Sequence, residues 1–587
     1  MLFILCALLL SSAVAPRPAP AAPEYLVSPL DAAPFGLNTH LATRYPDLQS
    51  MSVPAELVRQ SGAGWAREDI HWYRIQPTPE TWDWSFTDQA IRELVKRKIN
   101  IVGVLGHPPG WATPYAGDDP EAISFYAPDP QRFAAFARAV VARYGRYVHH
   151  WEIWNEPDNE LFWKPTPDPQ AYARLLERTA AVIHRVDPGA QVLIGGTNPF
   201  DTHFLRSVAE AGAWDSFDII AIHPYVVPTT PEAGNIVAAA DGVRTLAAQF
   251  GLKPIWVTEV GWPSGPGDHD PIGMLDEQAQ ANNLVRAILL LWRAGVERIF
   301  WYTLKDDPGN PYGLVAFGAG SADYSQLKPA FYAFRTLNQQ LGGTTFVDLR
   351  DPFTRAVVLD FESLGAWRRG DQPYGTLSAT DALQHSGRAA ARLQYDFPTT
   401  GNDYVVFRRD QPAAIPGHPY ALGLWVYGDG SGNTLKIWLR DAENEVLQYT
   451  LGTVGPVGWR LLQAPLGATV PDWDRITPGG NGRLDFPARL DAIVLDDAPD
   501  TFRGSGTLYL DDLIAISGAE AYKLEVRNDT TLLDVLWAPI PVRAWIASAG
   551  SSAIVVDRDG VEHIAAVSNG RLSLDLGPAP IFVRHAP

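Results

Sequence analysis

The sequence predicts an α/β chain: a (β/α)8 (TIM) barrel followed by β-sandwich and jelly-roll domains. Two observations carry this. From about Phe35 to Gly342, short apolar stretches alternate with amphipathic ones through eight rounds, the hydrophobic period switching between that of a strand and that of a helix. Past Gly343 the helical period disappears, and short strands punctuated by Gly, Pro, Asp and Asn take over. Length agrees, because 587 residues exceed what one hydrophobic core serves and imply about two to four domains.

In the first half the predicted strands lie near residues 35–39, 64–69, 99–105, 148–155, 191–195, 217–222, 254–258 and 298–303. The predicted helices begin near Pro54, Thr87, Pro130, Pro169, Thr202, Ile236, Glu277 and Pro329. Asp129-Pro130 and Asp168-Pro169 are start signals with a mechanism, since a proline in the first helical turn gives up an N–H that would have no partner there. Eight parallel strands, each followed by a helix, close into a barrel over 31–342, and such barrels carry their reactive groups at the C-terminal strand ends. In the second half, residues 360–517 read as one jelly roll. Residues 519–587 supply a smaller set of strands that pairs with the strand-like piece 345–359, so that 343–358 and 519–587 form a small β-sandwich interrupted by the jelly roll.

Composition narrows the partners. A formal net charge of -19 argues against nucleic acid or an anionic membrane, which need concentrated Lys and Arg. The 20 Trp suit flat ligands such as pyranose rings, although most are expected to pack. Residues 1–15 are apolar and end in small side chains, as a secretory signal peptide does, and a Pro/Ala-rich linker follows, so 1–22 are read as signal peptide and linker of a secreted, extracellular or cell-surface protein. The single cysteine, Cys6, lies in that segment, which leaves the remainder without thiol, disulfide or thiolate metal site. No other apolar run reaches membrane-spanning length. The oligomeric state is not legible.

Chemistry concentrates at two strand ends. His-Trp-Glu-Ile-Trp-Asn-Glu-Pro-Asp, 150–158, places Asn155 and Glu156 at the end of the fourth strand, where Pro157 denies the ladder its next donor. Glu259 closes the apolar run 255–258 on the seventh. A lone Asn-Glu-Pro is more often a solvated turn. Two glutamates on two strand ends, with aromatics beside both, instead suggest a pair that works across a sugar ring. Glu152 shares the strand parity of Glu156 and points into the barrel, as a buried structural carboxylate or as the acid itself.

The motif Trp151-Glu-Ile-Trp154-Asn155-Glu156-Pro157, with Thr258-Glu259 about three βα units later, resembles clan A of the retaining glycoside hydrolases, most closely family 39 and its relatives. The resemblance implies a general acid/base at Glu156 and a nucleophile at Glu259. It also implies substrate-site positions at Arg67, His107, His223, Tyr225 and Trp301, the last as a floor for the reacting sugar. Asn155 is placed to bond a sugar 2-hydroxyl. Arg67 and the Tyr225 hydroxyl would hold Glu259 ionised, while the charge of Glu259 and partial desolvation would raise the pKa of Glu156.

Each supporting residue has a plainer reading. Arg67 can pair with Glu68 or Asp69 in the core, and His107 and His223, each before a proline, can cap loops. Trp111, Trp163 and Trp262, in strand-to-helix loops, suit sugar stacking and loop packing equally. The jelly roll resembles carbohydrate-binding modules, which implies a structural calcium held by Glu362 and Asp512; the alternative is acidic groups facing water. Expected, then, is a secreted retaining β-glycosidase acting on a polysaccharide or oligosaccharide and needing no catalytic cofactor. The alternatives are a transglycosylase using the same residues and a non-catalytic carbohydrate-binding surface protein.

Overall fold

The computed structural model describes residues 31, 33–115, 124–267, 275–350, 354–467, 469–517, 521–527, 532–539 and 541–586; the leader and linker expected at 1–22 lie outside them. Eight parallel strands form the first sheet: β1 Gly36–Asn38, β2 Trp65–His71, β3 Asn100–Gly106, β4 His150–Ile153, β5 Gln191–Ile194, β6 Ile220–Ile222, β7 Ile255–Val260 and β8 Arg298–Trp301. The order β5-β4-β3-β2-β1-β8-β7-β6 closes through single parallel bridges, Leu193 to Ile219 and Thr197 to Ile222. After each strand comes a helix: α1 Ser52–Gln60, α2 Ser85–Lys96, α3 Pro130–Tyr144, α4 Pro169–Val186, α5 His203–Glu210, α6 Val237–Phe250, α7 Glu277–Arg293 and α8 Pro329–Leu341. The two Asp-Pro starts behave as their chemistry requires. Asp129 and Asp168 each accept two backbone N–H bonds from the first turn of the helix they cap.

Inside the barrel the side chains stack in layers. Trp65, Val102, Leu193, Ile219, Ala221, Trp256 and Phe300 plug the lower end, with Trp65 edge-on to Trp256 at 5.4 Å between centroids. Two residues further along β2 and β7 the apolar layer gives way to a polar one containing Arg67 and Thr258, both buried. The strand period of two thus lifts the chain from an oily floor to a polar mouth within one pleat.

The second half is antiparallel β-structure. A sheet with spatial order Gly375–Thr380, Ala390–Phe397, Gly504–Ser517, Ala421–Gly428, Gly458–Pro465 faces a five-stranded one with order Trp367–Arg369, Tyr404–Ala414, Arg489–Asp496, Thr434–Arg440, Val446–Thr453. Between them lies a separate apolar core that includes Leu393, Phe407, Leu424, Ile437 and Leu508. The strand Thr345–Arg350 pairs with Tyr522–Arg527 across this insertion, in the small sheet that also holds Leu532–Trp537 and Ile581–His585. Thr354–Leu359, however, pairs with Gly504–Ser517, so the piece expected to join the small sandwich as a whole is divided. The reason is an unfilled edge. Ala390–Phe397 covers only positions 504–510 of that long strand, which leaves 513–517 free to bond a second partner end to end with the first.

The small sandwich shares the barrel's core. Leu524, Val535, Trp537 and Phe582 pack into the same apolar cluster as the barrel helices, and Arg558 reaches α7, donating to Asn282 Oδ1 at 2.6 Å and Gln278 Oε1 at 2.8 Å. Trp537 is fully buried, stacks on Tyr522 at 4.8 Å, and donates its indole N–H to Glu232 of the loop after β6 at 2.8 Å. Trp537→Ala should therefore cost about 3–5 kcal/mol and lower a melting transition that barrel and small sandwich share. Calorimetry showing an unshifted barrel transition would refute this coupling.

Candidate active site

Arg67, on β2, is buried with 1% exposure, and each of its five N–H groups meets an acceptor. Nε and Nη2 clasp Glu152 at 2.7 and 3.0 Å, Nη2 also reaches Asn155 Oδ1 at 2.7 Å, and Nη1 reaches Asn38 Oδ1 at 2.8 Å and Glu259 Oε1 at 2.5 Å. It pairs with neither Glu68 nor Asp69. Glu68 instead faces outward to the loop after β1, where it accepts the backbone N–H groups of Leu41 and Ala42, and burial pushes its carboxyl up to about 7. Glu152 has no exposed surface and is the structural carboxylate of its two readings. With its oxygen committed to Arg67, Asn155 can offer a sugar hydroxyl its amide N–H groups.

Glu259 receives a second bond, from the Tyr225 hydroxyl to Oε2 at 3.0 Å. Burial and then the charge of Glu259 raise the Tyr225 pKa well above its ordinary value, so the phenol stays a donor. Glu156 stands opposite. β4 ends at Ile153, earlier than the sequence suggested, because Trp154 and Glu156 adopt left-handed backbone, with φ of 74° and 44°. Each such residue costs on the order of 1 kcal/mol or more, and the turn aims the Glu156 carboxyl across the barrel mouth. Its Oε2 accepts from Asn159 Nδ2 at 2.8 Å, and Oε1 bonds His223 Nδ1 at 2.8 Å.

His223 sits between the two carboxylates, with Nδ1 3.9 Å from Glu259 Oε2 and Nε2 3.0 Å from Thr258 Oγ1, which in turn lies 3.3 Å from Glu152 Oε1. Carboxylate oxygens of Glu156 and Glu259 and a ring nitrogen of His223 all fall within 4.8 Å of one another, and among the described residues this is the one group of three or more acidic, His or Cys side chains so gathered. Burial disfavours the His223 cation, but the charge of Glu259 and the bond to Glu156 outweigh it and raise the pKa. Burial likewise opposes ionisation of Glu156, yet the hydrogen bond and charge of His223, with Asn159 and Arg67, hold it below the ordinary carboxylate value. The expected rise at Glu156 is thus corrected, because a histidine stands between the carboxylates where bare repulsion was anticipated, and its hydrogen bond and charge favour the ionised carboxyl. Gly196 makes room for that ring: a Cβ there would lie 2.0 Å from His223 Nε2.

Other predicted positions fall away from this centre. Trp301 and Trp262 are both fully buried, their rings stacked at 6.2 Å, with indole N–H groups donating to Tyr312 O and Thr229 O. Trp163 is 2% exposed and packs on Trp154 and Tyr172. All three pack and offer no open face to a sugar, which corrects the floor expected of Trp301 and gives Trp163 and Trp262 the packing reading of their two. Trp111 lies edge-on to Trp72 and lines a separate pocket with Trp82 and Arg132. His107 has φ of 53°, rests on His71 at 3.9 Å, and is driven well below its ordinary pKa by burial and then by His71. Among the described residues no hydrogen bond or ion pair joins it to Glu156 or Glu259. In the jelly roll, Glu362 accepts from Arg388 N and Asp512 from His385 Nδ1, so both lie against one turn. Asp511 Oδ2 accepts from His385 N and Ser386 N of the same turn, but no three acidic or His ligand atoms gather there within 4.8 Å among the described residues, and the expectation of calcium rests on the resemblance alone.

Residues 130–321, which contain Glu156, His223 and Glu259, match the family model described as glycosyl hydrolase catalytic core. The protein is a glycoside hydrolase. Its fold is shared with a family 39 glycoside hydrolase from the gut symbiont Bacteroides cellulosilyticus WH2, at a TM-score of 0.52 and 17% identity over 96% of this chain and 82% of that one. Similar solved structures include a GH30 endoxylanase from Clostridium papyrosolvens C71, at a TM-score of 0.46 and 11% identity over 96% of this chain and 98% of that one. A monomeric beta-xylosidase from Caulobacter crescentus CB15 follows, at 0.44 and 16% over 83% and 98%. No curated protein matches the chain. In the hydrolase, Asn38, Asn159 and Gly196 belong to the site beside the residues the sequence singled out. Their only local signal is position: each lies in or just after a barrel strand.

The His223–Glu156 pair sets the titration of the mouth. A histidine whose folded pKa is raised stabilises the fold below its ordinary value of about 6.5, a contribution lost as pH rises through the folded value. NMR titration of the His223 imidazole is expected to give a midpoint above 6.5 that falls in Glu156→Gln. A wild-type midpoint at or below 6.5 would contradict the pairing.

Proposed function

We propose that this glycoside hydrolase is a secreted retaining β-glycosidase acting on a polysaccharide or large oligosaccharide, with Glu259 as nucleophile and Glu156 as general acid/base. The observation that supports this most is the separation of the two carboxylates. Oxygens within 4.8 Å of each other fit a pair that flanks one bond directly, as retaining enzymes require at roughly 5–5.5 Å, and leave no space for the water that an inverting pair holds at roughly 6.5–9.5 Å. In the first step a Glu259 oxygen bonds the anomeric carbon while the glycosidic C–O bond breaks and Glu156 gives the leaving oxygen its proton. In the second, water gives a proton to Glu156 and attacks the same carbon, which frees Glu259.

Arg67 and Tyr225 keep Glu259 charged and fixed for attack, and their bonds must loosen as its charge passes into the ester. The proton for the first step lies in the Glu156–His223 hydrogen bond, and substrate entry, which excludes water and penalises the charged forms of both groups, favours its residence on the carboxyl. Asn155, turned by Arg67, offers N–H to the sugar 2-hydroxyl, a contact that strengthens as charge builds on the ring.

For this reading, the culture medium of the producing cells should contain an activity on aryl β-glycosides whose first product is the β-anomer by proton NMR. Glu259→Gln is expected to lose about a thousandfold or more, and Glu156→Gln about 10²–10⁴-fold on poor leaving groups. An α-anomer as first product, or undiminished turnover in Glu259→Gln, would sink the double displacement.

The jelly roll is proposed to bind the same polymer. Its five-stranded sheet bears a cleft of about 660 Å³ lined by Tyr404, Trp438 and Trp473, with polar groups from Arg408, Lys436 and Gln448. Trp473 is 82% exposed, and Arg408 lies 4.6 Å over the Trp438 ring. Aromatic faces ringed by donors are what a row of pyranoses needs, and an indole that exposed has a cost unless something covers it. In affinity electrophoresis through gels containing xylan, mannan or β-glucan, the wild-type protein should be retarded by at least one and Trp473→Ala released. Equal mobility of the two in every gel would remove the site.

A further inference from the structure

We propose that the jelly roll supplies part of the substrate cleft: its segment 456–460 closes the leaving-group side, and Arg460 with Phe200 forms a subsite for a neutral sugar unit beyond the cleaved bond. The inference rests on the reading of Glu156 as the proton donor. A cleft of about 790 Å³ runs from Glu156 and Tyr225 past Asn198 and Phe200 of the barrel to Pro456 and Arg460 of the jelly roll. That volume lies within the roughly 300–1,000 Å³ of sites that enclose a small ligand. Glu156 lines it and Glu259 does not, so it opens on the side toward which the protonated oxygen departs.

The two domains meet here at backbone distance. Gly458 has φ of 132°, and a Cβ on it would stand 3.0 Å from Phe200 Cβ and 3.2 Å from the Phe200 carbonyl oxygen. Only glycine lets the strand Gly458–Pro465 seat against the loop after β5. Two residues on, the Arg460 guanidinium lies 5.7 Å from the centroid of the Phe200 ring. Its Nε is buried with no hydrogen-bond partner, and burial lowers its pKa. Arg460 lines the cleft and its guanidinium makes no hydrogen bond or ion pair among the described residues, and a partly buried guanidinium without acceptors is destabilising until a ligand oxygen arrives.

Charge selects the ligand. Asp158, Glu160 and Asp201 line the same cleft, and burial, followed by the charge of Glu156, raises the Asp158 carboxyl to about 6 despite its bond from Asn198 N. An anionic substituent would meet these carboxylates before reaching one arginine. A neutral sugar meets the Arg460 donors with its hydroxyls, the carboxylates with its O–H groups, and Phe200 with an apolar ring face.

The test compares the full-length wild type with Arg460→Met and Gly458→Val on β-1,4-linked xylo-, gluco- and manno-tetraose and on the 4-nitrophenyl β-glycosides of the same sugars. For the tetraose that is cleaved, the ratio of its kcat/KM to that of the matching aryl glycoside should fall about tenfold or more in Arg460→Met, mainly through KM. Gly458→Val keeps the arginine but displaces its segment, and should shift the ratio the same way. Ratios within about twofold of wild type in both folded variants would overturn the proposal. So would cleavage of the aryl glycosides with none of the tetraoses. Failure of the parent reading shows elsewhere, in a Glu259→Gln variant that still turns over.

Discussion

One guanidinium organises the mouth of this barrel. Arg67 is buried among Asn38, Glu152, Asn155 and Glu259, which come from three other strands and their ends, and its five N–H donors match the five oxygens they bring within reach. A buried cation is tolerated only when paired and fully bonded. Glu152 supplies the planar fork that fixes its orientation, and with the guanidinium plane so fixed the remaining N–H groups point at Asn38, Asn155 and Glu259. Removing any acceptor would leave a charge donor unmet in the interior, so the polar layer stands or falls as a unit.

The other half of the site is shaped by backbone. A left-handed turn after β4 carries Glu156 out of the strand, and the absence of a side chain at Gly196 leaves the volume that the His223 ring fills. The imidazole contacts both glutamates and, through Thr258, the carboxylate that holds Arg67. Glu156 and Glu259 are therefore joined by a continuous chain of hydrogen bonds, and the protonation of one is felt by the other.

Much of this was legible in the sequence, for a physical reason. Strand and helix positions follow from periodicity, Glu156 and Glu259 stand at strand ends, and Arg67 lies within β2, where a charged group has no business unless it meets an opposite one. What sequence could not give was exposure. Trp163, Trp262 and Trp301 occupy the loops and strand ends where a sugar platform is plausible, yet indoles at such places can equally stack on each other, as two of these do. Nor could it show that His223 would lie between the glutamates and reverse the shift expected at Glu156, since that depends on atoms brought together from β4, β6 and β7. The division of 345–359 between two sheets was hidden likewise, because edge occupancy is a property of the partner strand.

Both ends of the jelly roll are stitched into other sheets: Thr345–Arg350 and Tyr522–Arg527 lie side by side below it, and Thr354–Leu359 runs back along its own final strand. A module hung on one flexible linker samples a sphere around its anchor. One spliced in through two neighbouring crossings can at most rock about the line joining them. Any polymer it grips is thereby presented to the barrel at a set angle, and the chain's direction of travel over the cleft is decided by architecture before a single sugar is recognised.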